Sequence, residues 1–287
     1  MPELPEVETV RSILAREVTN RRITGVTYRD FPGVTGDMQP AAFVAMVTGR
    51  RILSPERRGK YLLLPLDDDT AMVVHLRMTG RLLVIEADAP PVRFEHLVIH
   101  LDSGRDLRFA DQRKFGRVLH MPLDTARGLL AASLGPEPLG NGFTVAYLTG
   151  RMKGRTAPIK SFLLDQRHIA GLGNIYVDEA LFLSRIHPMT PAGAITTEQA
   201  SILVRSVRRV LRAAIANQGT TFSSFENPYG QRGNNADFLS VYGRAKRGLP
   251  CVRCGNPLGW FKLGGRGTSY CPTCQTQAPE SDTTSSS

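Results

Sequence analysis

Pro2, the second residue of the chain, could supply a nucleophilic amine. An initiator methionine before proline is normally removed, which would leave Pro2 with a free secondary amine that can attack a sugar carbon and form an iminium adduct. Because an α-amino group has a pKa of about 7.7–8.0, part of it is already neutral near pH 7. Glu3 follows directly and could move protons beside the amine. The alternative is an ordinary translation start that leads into a helix.

The four cysteines form a second chemical group. Their spacing, Cys251-x2-Cys254-x16-Cys271-x2-Cys274, is typical of two knuckles that hold one zinc ion tetrahedrally. Two disulfides are the alternative, and a reducing compartment disfavours them. The sequence therefore predicts one structural Zn²⁺.

A helix directly after Pro2 would hold the amine in place. Apolar residues recur there at helical spacing, namely Val7, Val10, Leu14 and Val18. Pro2 and Glu3 would lie at the positive end of its dipole, where a neutral amine is favoured over a charged one. We therefore expect a lowered pKa for the Pro2 amine.

Composition points to a polyanionic partner. The chain has 287 residues, a formal charge of +10 and a pI near 9.8, which favours nucleic acid. Residues 1–130 carry 19 Lys and Arg against 17 Asp and Glu, whereas residues 131–287 carry 17 against 9. A generally basic protein is the alternative. Because we find neither an apolar run of membrane-spanning length nor a signal-peptide pattern, we expect a cytoplasmic protein.

Residues 22–121 are predicted to form mainly strands, including a hairpin around Asp102-Ser103-Gly104. Together they predict an antiparallel sandwich with the first helix against it. Gly135–Gly140 is a predicted linker, and helices are expected within 159–166, 175–182 and 202–215. A polar loop at 219–237 is long enough to be functional.

Six motifs occur in order along residues 1 to about 275 and resemble a known family. They are Met1-Pro2-Glu3-Leu4-Pro5-Glu6-Val7-Glu8, Gly59-Lys60-Tyr61-Leu62-Leu63, His75-Leu76-Arg77-Met78-Thr79-Gly80, Asp111-Gln112-Arg113-Lys114-Phe115-Gly116, Asp165-Gln166-Arg167-His168-Ile169-Ala170-Gly171-Leu172-Gly173-Asn174-Ile175-Tyr176 and the cysteine set. The chain resembles the formamidopyrimidine-DNA glycosylases. Leu4 favours this family over the related endonuclease VIII enzymes, which usually have Gly there and prefer oxidised pyrimidines.

The resemblance implies a bifunctional enzyme that excises oxidised purines and cleaves the strand. Pro2 would attack C1′ and Glu3 would assist ring opening, while Lys60 and Arg266 match residues with proton-donor or phosphate-contact roles. The iminium would then allow β- and δ-elimination.

The resemblance also implies DNA contacts. His75, Asn174 and Arg266 would contact phosphates, and Arg155 and Lys160 would line the same channel. Asn174 could instead simply cap its helix. Met78 and Phe115 would fill the gap left by the everted base, with Arg113 facing the orphaned cytosine; core packing is the alternative for the two apolar residues. His96 is the remaining member of a histidine pair, since Phe94 replaces the other.

The fold class implied is α+β multidomain, with an N-terminal antiparallel β-sandwich and flanking helix, a helix–two-turn–helix domain and a four-cysteine zinc ribbon. The expected boundaries are 1–130 for the catalytic domain, 131–145 for a linker, 146–240 for the helical DNA-binding domain with its lesion-recognition loop 219–237, 241–275 for the zinc finger and 276–287 for a disordered tail.

The expected partner is double-stranded DNA that contains oxidised bases or abasic sites, bound by a monomer near the nucleoid and with no membrane association. Two other functions stay open at this point. The same chemistry could act on oxidised pyrimidines, or the chain could bind damaged DNA without catalysis. The presence of Pro2, Glu3 and Lys60 disfavours the second, because binding alone requires no amine nucleophile.

Overall fold

The structure, a computed structural model, describes residues 1–222 and 224–276. The expected disordered tail lies outside the described residues, apart from Thr276. The chain divides into two compact units, Met1–Glu137 with Leu211–Phe238, and Pro138–Val210 with the residues from Leu239 onwards.

The described elements of the first unit are α1 (Leu4–Glu17), β1 (Ile23–Tyr28), α2 (Pro40–Val47), β2 (Glu56–Arg58), β3 (Tyr61–Pro65), β4 (Thr70–His75), β5 (Gly80–Glu86), β6 (Glu95–Leu101), β7 (Arg105–Asp111), β8 (Arg117–Pro122) and α3 (Leu123–Ser133). Its strands form two antiparallel sheets, with strand orders β1-β6-β7-β5 and β2-β3-β4-β8. One hydrophobic core takes side chains from α1 and from both sheets, among them Val10, Leu62, Val74, Leu82 and Phe109. The predicted sandwich with a helix against it is confirmed.

Strand β3 explains how the core is layered. Leu62 and Leu64 belong to the main core, whereas Leu63 packs in a separate cluster with Ala126 and Leu130 of α3. Because successive side chains of a strand point to opposite faces, both faces of β3 are covered. This accounts for its uninterrupted apolar sequence.

Helix α2 is a difference from the expectation that residues 22–121 form mainly strands. Pro40 occupies its first turn, where the missing N–H is not needed and the fixed φ suits a helix. Phe43 and Val47 lie one turn apart and are fully buried. Three positions of α2 are alanine, the residue with the highest helix propensity, so the local sequence and the packing of these two residues both favour a helix here.

The described elements of the second unit are α4 (Val145–Met152), α5 (Ile159–Leu164), α6 (Asn174–Ser184), α7 (Thr197–Ala216), β9 (Gly259–Leu263) and β10 (Arg266–Tyr270). The helices expected within 159–166, 175–182 and 202–215 are present as α5, α6 and α7. Helix α4 was not predicted, although Thr144 caps it by accepting the Tyr147 N–H at 3.0 Å. Helix α7 carries the chain back into the first unit, since the division falls between Val210 and Leu211.

The expected linker, residues 135–140, adopts coil and turn conformations. Its first part is fixed in the first unit, because the Arg58 guanidinium donates to the carbonyl oxygens of Leu134 and Gly135 at 3.1 and 2.6 Å. Across the two described stretches, none of the helices combines the length and apolar character needed to cross a bilayer.

Candidate active site, DNA contacts and zinc centre

Pro2 and Glu3 are buried at the start of α1. Glu3 is the N-cap residue and forms a reciprocal capping box with Glu6. In it the Glu3 N–H donates to Glu6 Oε2 at 2.8 Å. The capping box satisfies backbone groups that a helix start otherwise leaves without partners, so the segment next to Pro2 is held rigidly.

The amino group at this end of the chain belongs to Met1 in the printed sequence. Burial lowers its pKa from the ordinary value of 8.0, while the carboxylates of Glu3 and Glu6 raise it and Lys60 lowers it. The net effect is a lowered pKa, so a larger share of this amine is neutral at a given pH than at an ordinary N-terminus. These influences place one amine, two carboxylates and one ammonium in a common electrostatic environment.

Lys60 lies on the tight turn between β2 and β3 and is buried. Gly59 before it has φ +57°, a conformation that favours glycine. The Gly59 N–H donates to Glu137 Oε1 at 2.6 Å, and Arg57 bridges Glu137 and Glu8 at 2.8 and 2.7 Å. This network fixes the backbone that carries Lys60.

Glu6 connects the start of α1 to a distant loop, a contact that the sequence did not predict. Its Oε1 accepts the Thr220 N–H at 2.7 Å, so it joins the helix start to the beginning of the 219–237 loop. Gly219 has φ +83°, and a Cβ there would lie 3.0 Å from the Glu6 side chain. The Glu-x-x-Glu pattern reveals the capping box, but its loop partner is 214 residues away and leaves no local signal.

His75 ends β4 and is buried against Tyr61, with ring centroids 4.4 Å apart. Burial lowers its pKa to about 3, and the charges of Arg77 and Lys60 act in the same direction. Its Nδ1 accepts the Arg77 N–H at 2.9 Å, so the proton of the neutral ring is on Nε2. The ring is therefore a neutral donor.

Met78 and Phe115 are exposed on two turns, with 40% and 50% of their surfaces accessible. The Arg113 guanidinium lies 4.7 Å from the centre of the Phe115 ring. Core packing, the alternative for both apolar residues, is therefore wrong. Both side chains are therefore accessible for contact with a partner.

His96 requires a correction. It is fully buried, its Nδ1 lies 2.8 Å from Asp30 Oδ1, and its Nε2 lies 2.8 Å from the Asp111 carbonyl oxygen. The hydrogen bond with His96 is the main cause that lowers the pKa of Asp30. Since protein groups engage both ring nitrogens, the structure assigns His96 a structural role in place of the predicted DNA contact.

The 219–237 loop is tied to the first unit at several points beyond Thr220. Arg81 forms an ion pair with Glu226 at 2.6 Å, the Val84 N–H donates to the Pro228 carbonyl at 2.8 Å, and the Tyr229 hydroxyl donates to Glu17 at 2.6 Å. Ser223 lies outside the described residues. The described parts of the loop on both sides of it are thus anchored to β5 and α1.

In the second unit the turn before α6 is built around Gln166. Its side chain donates to the carbonyls of Leu164 and Leu172 and accepts the Gly171 N–H at 2.8 Å. Gly173 is the N-cap residue of α6, and Asn174 is its first helical residue. The capping role considered for Asn174 is therefore wrong, because no side chain among the described residues caps α6, and the Asn174 Nδ2 donates to the Gly267 carbonyl at 2.9 Å.

Lys160 also differs from the expectation. Its side chain is 0% exposed, forms an ion pair with Asp178 at 2.7 Å, and donates to the Gly267 carbonyl at 2.9 Å. Burial raises the pKa of Asp178, and the nearby Lys160 ammonium lowers it in part. An ammonium enclosed in this way supports the β9–β10 hairpin, and its burial argues against the predicted DNA contact. Arg155 and Arg266 are exposed.

The four cysteine sulfurs lie within 4.8 Å of one another. The Cys251–Cys274 and Cys254–Cys271 pairs are 4.0 and 3.6 Å apart, and tetrahedral Zn–S bonds of about 2.3 Å require sulfurs about 3.8 Å apart. Backbone N–H groups of Arg253 and Cys274 donate to Cys251 and Cys271 at 3.4 Å, which stabilises thiolates. The donor set therefore fits zinc.

Three family profiles match the chain in order. Residues 1–118 match the formamidopyrimidine-DNA glycosylase N-terminal domain, residues 134–226 its H2TH domain, and residues 248–277 a zinc finger found in FPG and IleRS. With the sulfur geometry, the third match confirms the predicted single structural Zn²⁺. The multidomain α+β fold class is confirmed as well.

Curated proteins that are similar over almost the whole chain bear the name formamidopyrimidine-DNA glycosylase. The formamidopyrimidine-DNA glycosylase of Chloroflexus aggregans is 48% identical over 278 residues, covering 96% of this chain and 98% of its own length. Lactococcus lactis FPG has been solved as a mutant with Fapy-dG containing DNA and as the wild type with an oxidized pyrimidine containing DNA. Both have a TM-score of 0.88, 34% identity and coverage of 96% of this chain and 100% of theirs. MutM in complex with carbocyclic 8-oxo-G containing DNA matches with a TM-score of 0.88, 35% identity and the same coverage. The predicted family and enzyme class are confirmed, and the chain belongs to the formamidopyrimidine-DNA glycosylases.

Proposed function

We propose that this protein excises oxidised purines, 8-oxoguanine and formamidopyrimidines, from double-stranded DNA and then cleaves the strand at the abasic site. The observation that carries the proposal is the buried start of α1, where the terminal amine lies near Glu3 and Lys60 and burial lowers the pKa of the Met1 amino group. The proposal requires removal of Met1, so that the amine is that of Pro2.

The first step replaces the glycosidic bond with a bond from C1′ to the Pro2 nitrogen and then opens the sugar ring. The lone pair of the nitrogen attacks C1′, the base departs with the electrons of the glycosidic bond, and the proton that the proline nitrogen loses neutralises the departing base. Glu3 gives a proton to the ring oxygen as the sugar opens, and the product is an iminium between C1′ and the proline nitrogen. Glu3 is suited to this because it lies directly next to the amine in the capping box.

The iminium withdraws electrons and acidifies the 2′ position. Loss of a 2′ proton expels the 3′ phosphate by β-elimination, and a second elimination expels the 5′ phosphate by δ-elimination. We assign the cationic side chains of Lys60 and Arg266 to phosphate contact or proton donation near these leaving groups. Zinc has no part in the steps, since its residues hold the fold of the ribbon.

The remaining contacts would position the duplex. His75 is a neutral Nε2–H donor, and Asn174 and Arg155 add polar groups for phosphates, which place the DNA without reading its sequence. Met78 and Phe115 would fill the gap left by the everted base, with Arg113 toward the opposite cytosine. A monomer near the nucleoid stays our expectation.

Oxidised pyrimidines are a second candidate substrate. The relevant observation is that the Lactococcus lactis relative was solved with an oxidized pyrimidine containing DNA. Both candidates use the same amine, so the substrate test must include both lesions.

The decisive experiment is borohydride trapping on an 8-oxoguanine:cytosine duplex beside a thymine glycol duplex, with Met1 removal verified by mass. We expect a covalent band on the 8-oxoguanine duplex. The rate of trapping should rise with pH as the amine loses its proton. Because we expect a lowered pKa for this amine, the rate should level off at a lower pH than it does for a free prolyl peptide. A band restricted to the thymine glycol duplex would overturn the proposal that oxidised purines are the substrate. The absence of a band on both duplexes would overturn the proposed imine mechanism.

A further inference from the structure

A buried carboxylate, Asp111, lies under both turns that carry the exposed side chains Met78, Arg113 and Phe115. Asp111 is the last residue of β7 and pairs in register with Gly80, the first residue of β5. Its exposed fraction is 1%. A buried carboxylate is costly unless its oxygens are hydrogen-bonded, so its partners reveal what it does.

Four donors from the two turns converge on this carboxylate. Oδ1 accepts from the Thr79 hydroxyl and from the Arg113 N–H at 3.1 Å. Oδ2 accepts from the N–H groups of Phe115 and Gly116 at 2.8 and 2.7 Å. Two carboxylate oxygens offer about four acceptor positions, and these four donors match that number. One side chain therefore joins the turn of Met78 to the turn of Arg113 and Phe115.

The backbone of Asp111 is also fixed. Its N–H donates to the Phe94 carbonyl at 2.9 Å, and its own carbonyl oxygen lies 2.8 Å from His96 Nε2. The buried His96 thus supports the residue that supports the turns. This explains why a histidine far from solvent lies so close to a contact surface.

The turns have little room to adopt another arrangement. A Cβ on Gly116 would lie 2.5 Å from the Phe109 ring and 3.2 Å from Asp111 Oδ2, and a Cβ on Gly80 would lie 2.4 Å from the Leu76 carbonyl oxygen. Lys114 between Arg113 and Phe115 has φ +57°, in the left-handed region. The conformation of both turns is therefore specific, and Asp111 is the group they share.

We propose that Asp111 is a positioning residue that holds the two turns in one register, so that Met78, Arg113 and Phe115 enter the base stack as a unit. The inference rests on the proposed function, in which these side chains fill the place of the everted base. Without the shared carboxylate each turn would have to be ordered separately when DNA binds, at a cost in conformational entropy.

The first test is Asp111→Asn. The amide nitrogen would face two of the four donors, so those buried N–H or O–H groups lose their acceptor. We expect single-turnover excision of 8-oxoguanine to fall by about 100-fold, the size of effect that misplacement of positioning groups by about 1 Å produces. Cleavage of a preformed abasic site opposite cytosine should stay close to wild type, because no base has to leave the stack.

The second test removes one donor and keeps the carboxylate. Thr79→Val has nearly the shape of threonine without the hydroxyl, and Thr79→Ser keeps the hydroxyl without the methyl group. Valine should lower excision relative to abasic-site cleavage, and serine should restore it. Fluorescence of 2-aminopurine beside the lesion should show slower unstacking with the valine variant than with the serine variant.

The wild-type protein distinguishes failure of the proposed function from failure of the positioning role of Asp111. If the wild type does not excise 8-oxoguanine, the proposed function fails. If it does, and both Asp111→Asn and Thr79→Val keep the wild-type ratio of excision to abasic-site cleavage, the positioning role is overturned. A parallel loss of both activities in Thr79→Val overturns it equally, since that pattern indicates general damage to the fold.

Discussion

The amine site at the start of α1 and the zinc ribbon are both polar sites, but different forces hold them. The amine site lies on a helix whose apolar side belongs to the main core of the first unit. The ribbon is a two-stranded hairpin whose small buried cluster contains Cys251 and Cys271 themselves, with Phe182 and Val241. Isolated hairpins of two strands are marginally stable in water. A change at the amine site should therefore alter chemistry on an intact fold, whereas a change at the ribbon should alter the fold itself.

The largest effect is expected from loss of zinc through Cys254→Ser. Binding of structural zinc to such sites is worth about 10–16 kcal/mol and is used as folding free energy, so the ribbon should unfold and DNA affinity should disappear. Binding to an abasic-site duplex and zinc content measure this. Val252→Ser, at an exposed position between Cys251 and Cys254, is the matched control and should keep both. Unchanged DNA affinity in Cys254→Ser would contradict the expectation that a change at the ribbon alters the fold on which DNA binding depends.

Pro2→Gly should have the next largest effect, and on chemistry alone. Glycine keeps an amine but lacks the ring that fixes its direction, and poor placement of a reacting group costs about 100-fold in rate. Strand cleavage of an abasic-site duplex should fall by that factor with DNA affinity and zinc content unchanged. A preparation that keeps Met1 should bind DNA without borohydride trapping. Equal trapping with and without Met1 would refute the proposal that the Pro2 amine is the nucleophile.

Glu6→Gln should have an intermediate effect, because it damages both chemistry and fold. The amide nitrogen would face the N–H of either Glu3 or Thr220, and a buried donor without an acceptor costs about 1–3 kcal/mol. Urea unfolding and strand cleavage should both decline. Glu56→Gln is the control, since the Glu56 side chain is exposed and pairs with Arg127 at the surface. An equal loss from the two variants would show that the loop tie is unimportant.

The smallest effect is expected from the Arg81–Glu226 pair, which anchors the 219–237 loop. Both side chains are partly exposed, and such pairs contribute about 0.2–1 kcal/mol, decreasing with salt. A double-mutant cycle of Arg81→Met and Glu226→Gln, followed by urea unfolding at two salt concentrations, measures the coupling. A coupling energy that does not decrease with salt would exclude a screened ion pair.

The parts of the structure that the sequence predicted are those with local causes. Helix α1 follows from its apolar spacing and capping residues, and the zinc site follows from four cysteines in two short motifs. The exposure of Met78 and Phe115 agrees with their position on polar, glycine-bearing turns.

The missed features depend on contacts between distant residues. Lys160 and His96 belong to motifs of charged and polar residues, and only their partners, Asp178 and Asp30, show that they are buried supports. Glu6 looks like a capping residue until Thr220 is placed beside it. Hydrophobic and hydrogen-bond patterns of one segment carry no information on such partners.

The bond between Glu6 and Thr220 also sets an order of events during synthesis. The helix that presents the amine is translated first, yet its partner is made 214 residues later. At about 5–20 residues per second, a nascent chain spends roughly 10–40 s with Glu6 already made and Thr220 not yet made. A ribosome-bound chain therefore holds this carboxylate without one of its partners, and a product truncated before Thr220 never forms that hydrogen bond.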